Sequence, residues 1–190
     1  MAHDVHTTNA LVLASTDVQD ADKLLWLLTQ DFGLVFASAK SVRREVSKLR
    51  YALQDLSLAR VSLVQGRGMW RLTGAQEEAP ERLSSEASAV FGRIATLVRR
   101  VLPTDEEQGA VFTCLASARE ALALETMSLE VIERVTVARV LYQLGYVTRT
   151  PAYQDILDTH HFDTDVIARG EELGEMLVAD INNGLYESQL

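Results

Sequence analysis

The sequence predicts an α+β chain in two parts, a small closed β barrel followed by an all-α unit. Three observations carry that reading. Apolar residues alternate or cluster in short runs up to Gly74 and recur at spacings of three and four beyond it. Glycine turns punctuate the first part, while prolines and capping residues punctuate the second. The charge divides at the same place. Residues 1 to 75 carry nine Lys/Arg and seven Asp/Glu, a balance of +2, whereas residues 76 to 190 carry nine Arg and twenty Asp/Glu, a balance of −11.

The first strand is the apolar run NALVLAS (9–15), and KLLWLLTQ (23–30) and LVFASA (34–39) are the next two. QDFG joins that pair, and Gly33 supplies the positive φ that a turn between paired strands needs. LSLARVSLVQ (56–65) alternates with a shift of parity: Leu56 and Leu58 share a face that Val61 and Leu63 continue one residue late. A bulge near Ala59–Arg60 would restore the facing. GRG (66–68) makes the next turn and MWRLTGA (69–75) the fifth strand. Five short strands with a bulge suit a small closed barrel, a pattern that other small all-β folds share.

GAQEEAPERLSS (74–85) is the expected junction, with domains at 1–76 and 86–190 and a connection over 77–85. Ala87, Val90, Phe91, Ile94, Leu97, Val98 and Val101 then form one helical face that Pro103 ends. Thr104 stands three residues before Glu107, the capping-box spacing, and Val111, Leu115, Ala118 and Leu122 follow on one stripe. A third helix is expected over 129–144 with Gly145 as its stop. Thr150–Pro151 opens a short fourth, and Asp163 or Thr164 caps a fifth that buries Val166, Leu173, Leu177 and Ile181. The expectation is about five helices.

Several function classes find no support. The single cysteine, Cys114, permits neither a disulfide framework nor a cysteine zinc site within the chain, and its surroundings read as those of a buried structural thiol. No serine–histidine–acid arrangement or nucleophile elbow is present, so no catalytic residue is assigned and the reading is non-enzymatic. His160 and His161 lie among carboxylates, but adjacent histidines rarely converge on one ion, so no metal or other cofactor is expected; a metal hydrolase using them with Asp163 is a distant rival. There is no secretory signal and no membrane-length apolar run, which points to a soluble cytoplasmic protein without a membrane partner.

The positive charge is concentrated. From Lys40 to Arg50 stand five cations (Lys40, Arg43, Arg44, Lys48 and Arg50) and one acid, Glu45. A groove that follows single-stranded nucleic acid is lined by Lys and Arg and carries rings on which bases stack. Phe32 in a turn, Tyr51 after the basic run and Trp70 beside GRG are the stacking candidates expected to be exposed, while Trp26 and Phe36, inside apolar strand runs, are expected in the core. GRG is no phosphate-binding P-loop, since it lacks the length and the lysine, although Arg67 at its tip can reach a phosphate.

The ordered set Asp22–Lys23–Leu24, Leu27–Leu28–Thr29, Gly33, Ala39–Lys40, Arg43–Arg44, Ser47–Lys48–Leu49, Gly66–Arg67–Gly68 and Arg71–Leu72–Thr73 resembles the N-terminal domain of the RecO family of bacterial recombination mediators. LYQLGY (141–146) resembles a helix end in that family's second domain. The resemblance implies an OB-fold barrel followed by a helical domain, in a nucleoid-associated protein of DNA repair. It implies binding of single-stranded and also double-stranded DNA, annealing of complementary strands, and work with RecR to load RecA onto strands covered by SSB, whose acidic tail is a further partner. The DNA-facing cations it implies are Lys40, Arg43, Arg44, Lys48 and Arg50, and Lys23, Arg67 and Arg71 are further candidates for DNA contact. Two departures stand out: the four-cysteine zinc module that many members carry after the LLGY helix is replaced here by VTRTPAYQDILDTHHFDTD, and the glycine of the family's A-K-G is Ser41. The acidity of the helical part would repel DNA, which leaves contact to the barrel and gives the rest a partner-binding role. The alternative is an acidic helical adaptor of the repair machinery whose DNA affinity is incidental.

Overall fold

The computed structural model describes residues 4–18, 22–40, 42, 49–79, 81–148 and 150–187. Two compact units emerge, one of Met1–Glu81 with Leu102–Phe112, the other of Arg82–Val101 with Thr113–Leu190.

Five strands close the barrel: β1 (Val5–Val18), β2 (Asp22–Thr29), β3 (Gly33–Ala39), β4 (Leu58–Gln65) and β5 (Trp70–Glu77), in the order β1-β2-β3-β5-β4. The long β1 makes closure possible, because its first half pairs with β4 and its second with β2. The remaining seam is parallel, pairing Ala37, Ser38 and Ala39 of β3 with Trp70, Arg71 and Leu72 of β5. Alternation fills the interior: Leu25 and Leu27, Val35, Ala37 and Ala39, and Ala59, Val61 and Leu63 point inward. Val42, Ala52 and Leu53, the last two from the short helix α1 (Leu49–Ala52) and its end, join the same core.

The expected bulge near Ala59–Arg60 is absent. Strand β4 begins at Leu58, Leu56 lies before it at φ 66°, and Ala59, Val61 and Leu63 keep one parity. The apparent shift arose from counting Leu56 and Leu58 as inward. The irregularities fall elsewhere, at Leu13 in β1 between Val12 and Ala14 and opposite Ser62/Leu63, where β5 carries Thr73 as the extra residue.

The β2–β3 turn is fixed from within and from without. Thr29 Oγ1 accepts from the Phe32 N–H (3.0 Å) and donates to the Gly33 carbonyl (2.9 Å), and Gly33 adopts φ 64°. Segment 102–112 lies along this turn. Thr104 bridges Leu34, the Asp105 N–H donates to the Leu34 carbonyl (2.9 Å), and a Cβ on Gly33 would stand 1.7 Å from the Glu106 carbonyl oxygen. Thr104 therefore does not cap a helix as its spacing with Glu107 suggests; it is spent on the barrel.

The helices are α2 (Ser85–Val101), α3 (Gly109–Leu124), α4 (Leu129–Gln143), the short α5 (Gln154–Leu157), α6 (Thr164–Glu172) and α7 (Gly174–Glu187), with a 3₁₀ turn at Pro151–Tyr153. Ser84 Oγ accepts from the Ala87 N–H, Ser128 Oγ from Val131 and the Asp163 carboxylate from Val166. Gly145 at φ 79° stops α4. The expected fifth helix is two, divided at Leu173, whose N–H bonds to the Arg169 carbonyl. Gly170 makes α6 fit α4, since a Cβ there would stand 2.7 Å and 2.8 Å from methyls of Val131 and Val135.

Candidate nucleic-acid interface

The outer face of β2 and β3 carries the two rings expected in the core. In the pairing Trp26↔Phe36 both side chains turn away from the barrel interior and lie half-buried, with ring centroids 4.8 Å apart and planes at 41°. The next outward row is Leu24↔Ser38↔Arg71, which sets the exposed Arg71 guanidinium on the same face, one row from the ring pair. Lys40, exposed, follows the end of β3, and Arg67, exposed, sits in the β4–β5 loop. Phe36 also lines a cavity of about 180 Å³ together with Gly66, Gly68, Met69 and Asp105. Rings on a sheet face bordered by cations are the elements with which an OB barrel holds an oligonucleotide, by its β2–β3 surface and the loops beside it.

The candidate cations divide. Lys23 is partly buried; its Nζ donates to Ser15 Oγ (3.1 Å) and lies 3.8 Å from Asp17, so part of its charge is answered within the barrel. Arg43, Arg44 and Lys48 lie outside the described residues, as does the side chain of Arg50. Arg60, missed in the sequence, is exposed on β4; the alternation Ala59, Val61, Leu63 inward was the signal for it.

The stacking candidates are rearranged more sharply. Tyr51 is 60% exposed. Trp70 is not exposed: it is 7% accessible, packs in the barrel core and donates its Nε1–H to Asp105 (2.9 Å). Phe32 is half-buried against the same core, 5.2 Å from the Trp70 ring, with His6 5.2 Å from Phe32 and 5.9 Å from Trp70. Trp70 pairs with Ala37 and Gln65 at the start of β5, where inward is the only side that completes the core. The sequence reading is thus reversed: Trp70 lies in the core, and Trp26 lies half-buried on the outer face.

In the helical unit the residues that suggested chemistry are structural. Arg139 is wholly buried, and its guanidinium donates to the carbonyls of Ile156 (2.6 Å), His160 (3.2 Å) and His161 (3.1 Å) while lying 4.6 Å over the Phe162 ring. The two histidines thus contribute backbone oxygens to an arginine. Burial, and after it the Arg139 and His161 charges, hold the His160 imidazole below its ordinary pKa. Cys114 is fully buried, and burial pushes its thiol up to about 12, which removes the thiolate that reactivity requires. Among the described residues no group of three or more His, Cys, Asp or Glu could hold a metal ion, and no helix is long and apolar enough to cross a membrane.

With this geometry in place the comparisons are decisive. The family profile described as Recombination protein O N terminal matches residues 1–78, the whole of the barrel strands. The chain belongs to the RecO family. It is 32% identical over 147 residues to the DNA repair protein RecO of Dehalococcoides mccartyi strain 195, covering 76% of this chain and 57% of that one. It is 35% identical over 123 residues to the DNA repair protein RecO of strain BAV1, covering 63% and 48%, and 24% identical over 145 residues to that of Clostridium novyi, covering 75% and 57%. The chain therefore spans about half the length of the curated relatives it matches. The RecO N-terminal domain is the OB fold, and the five-stranded closed barrel followed by helices is that architecture. The chain has a single cysteine, Cys114, which is buried, so a four-cysteine zinc module has no fit in these residues.

Proposed function

We propose that this chain acts in DNA repair as a recombination mediator without catalysis of its own. Its barrel holds single-stranded DNA across the outer face of β2, β3 and β5, with bases on Trp26 and Phe36 and phosphates on Arg71, Arg67, Lys40 and the basic run through Arg50. Holding a strand by its phosphates leaves base edges free, so two strands can anneal. As the family resemblance implies, the same module would work with RecR to place RecA on SSB-covered DNA. The acidic helical unit supplies partner surfaces rather than DNA contacts, since a balance of −11 over residues 76 to 190 repels phosphate.

The observation that carries this reading is the half-buried Trp26–Phe36 pair one row from Arg71. Each stacked base is worth about 1–3 kcal/mol, so Trp26→Ala with Phe36→Ala is expected to weaken binding of an oligothymidylate at least tenfold while leaving its salt dependence in place. Arg43→Ala, Arg44→Ala and Lys48→Ala together are expected to act on the other component. If about four phosphates are neutralised, the log–log salt slope near −3 flattens toward zero. Anisotropy titrations between low and moderate salt check both. Unchanged affinity in the two sets of variants removes the site from this face.

A further inference from the structure

Beside the cavity that Phe36 lines, and sharing Gln65, Trp70 and Asp105 with it, lies a second of about 240 Å³, completed by His6, Asp31, Phe32 and Glu107. Its walls are rings: His6 meets Phe32 edge-on at 69° and Trp70 at 77°, and Phe32 tilts at 43° against Trp70. Its polar groups are three carboxylates and the Gln65 amide, beside the His6 ring. Asp31 and Glu107 are exposed at the rim, and Asp105 is fixed by the Trp70 Nε1–H. The wall is held from both sides, because Phe32 and Asp31 sit on the locked β2–β3 turn while Asp105 and Glu107 belong to the segment bonded to Leu34.

We infer that this cavity is a receptor for one arginine side chain presented by another protein. Aromatic faces attract a cation, and three carboxylates beside them reject an anion, so neither a phosphate nor an acidic peptide is complementary to it. The guanidinium is the matching cation. It is planar and weakly hydrated, stacks on ring faces, and offers a fork of N–H donors to carboxylates, whereas an ammonium is a strongly hydrated point charge. Drug-sized ligands occupy cavities of about 300–1,000 Å³, so a cavity of about 240 Å³ suits a single side chain. The inference does not rest on DNA binding, since the charges that favour arginine disfavour a phosphate inside this cavity.

The chain has two tryptophans, so in the Trp26→Phe variant the remaining emission reports Trp70 in the cavity wall. This full-length variant is titrated with a blocked Gly-Arg-Gly peptide, with its lysine and citrulline counterparts, with free arginine and with a phosphoserine peptide. The expected result is a saturable Trp70 response to the arginine peptide, at least tenfold weaker for lysine and for free arginine, and none for citrulline, which keeps the shape without the charge, or for phosphoserine. Asp31→Asn with Glu107→Gln is expected to weaken the arginine peptide at least tenfold with an unchanged melting midpoint, while the same pair in the native chain leaves oligothymidylate affinity unchanged. A citrulline or lysine response equal to that of arginine, tighter binding of free arginine than of the peptide, or full retention in the neutralised variant overturns the assignment.

Discussion

Gly33 is the residue on which the β2–β3 turn depends, for two separate reasons. Its φ of 64° lies in the left-handed region, and the space where a side chain would begin is taken by the Glu106 carbonyl. The first cost is about 1 kcal/mol for a residue with a Cβ. The second can be relieved only by moving backbone. Gly33→Ala is therefore expected to destabilise the chain by about 2–4 kcal/mol, and Gly68→Ala, which has φ 83° but open space around it, by about 1 kcal/mol. Denaturant midpoints of the two variants check the difference, and equal losses would mean that the contact with Glu106 contributes nothing. The conformational half of this was legible in QDFG; the close approach was not, because it involves a segment about seventy residues further along the chain. The tryptophans show the same limit. LLWLL reads as one apolar run because barrel strands can be covered on both sides, and only the pairing with β1 and β3 decides that Leu25 and Leu27 go in and Trp26 out.

At the scale of elements, the connection from α5 to α6 is organised by a side chain of α4. A buried guanidinium on three carbonyls answers main-chain oxygens that no helix could satisfy. Burial lowers the Arg139 pKa, and the nearby Asp163 charge opposes that, but arginine remains charged at any ordinary pH. Arg139→Met removes all the donors at once and is expected to cost about 3–5 kcal/mol, with Arg139→Lys recovering less than half, because an ammonium cannot reach three oxygens spread along a fork. Thermal melts of the helical signal measure both, and a lysine variant equal to the native chain would remove the argument from geometry. Helix faces and stops were readable from spacing: Ala87 to Val101, Gly145 after α4 and Asp163 before α6 all came from local pattern, whereas the Ser128 cap of α4 was not read. The false start at Thr104 has a local cause too. A capping-box spacing describes only four residues, and here those residues answer to Leu34 of a distant strand.

For the molecule as a whole, the period of the apolar pattern changes at Gly74 and the charge changes sign at about the same place, while the last barrel strand ends at Glu77 and α2 begins at Ser85. Composition does not reveal that the barrel's compact unit draws on chain beyond that helix. Leu102–Phe112 supplies the acceptor for Trp70, the donor for the Leu34 carbonyl and the wall against Gly33. A fragment ending at Glu81 is expected to have a lower melting midpoint than the same barrel in the full chain by about 5 °C or more, and to show red-shifted Trp70 emission. Coincident melts would mean that the segment rests on the barrel without supporting it.

That borrowed segment also sets an order of events at the ribosome. The barrel strands are all synthesised by Glu77, yet the last piece that closes over Trp70 and the β2–β3 turn is made about thirty residues later, a wait of roughly 2–6 s at ordinary elongation rates. During that interval the cluster of rings near Phe32 lacks its cover, so the nascent chain passes through a stage in which the future receptor end is its stickiest surface.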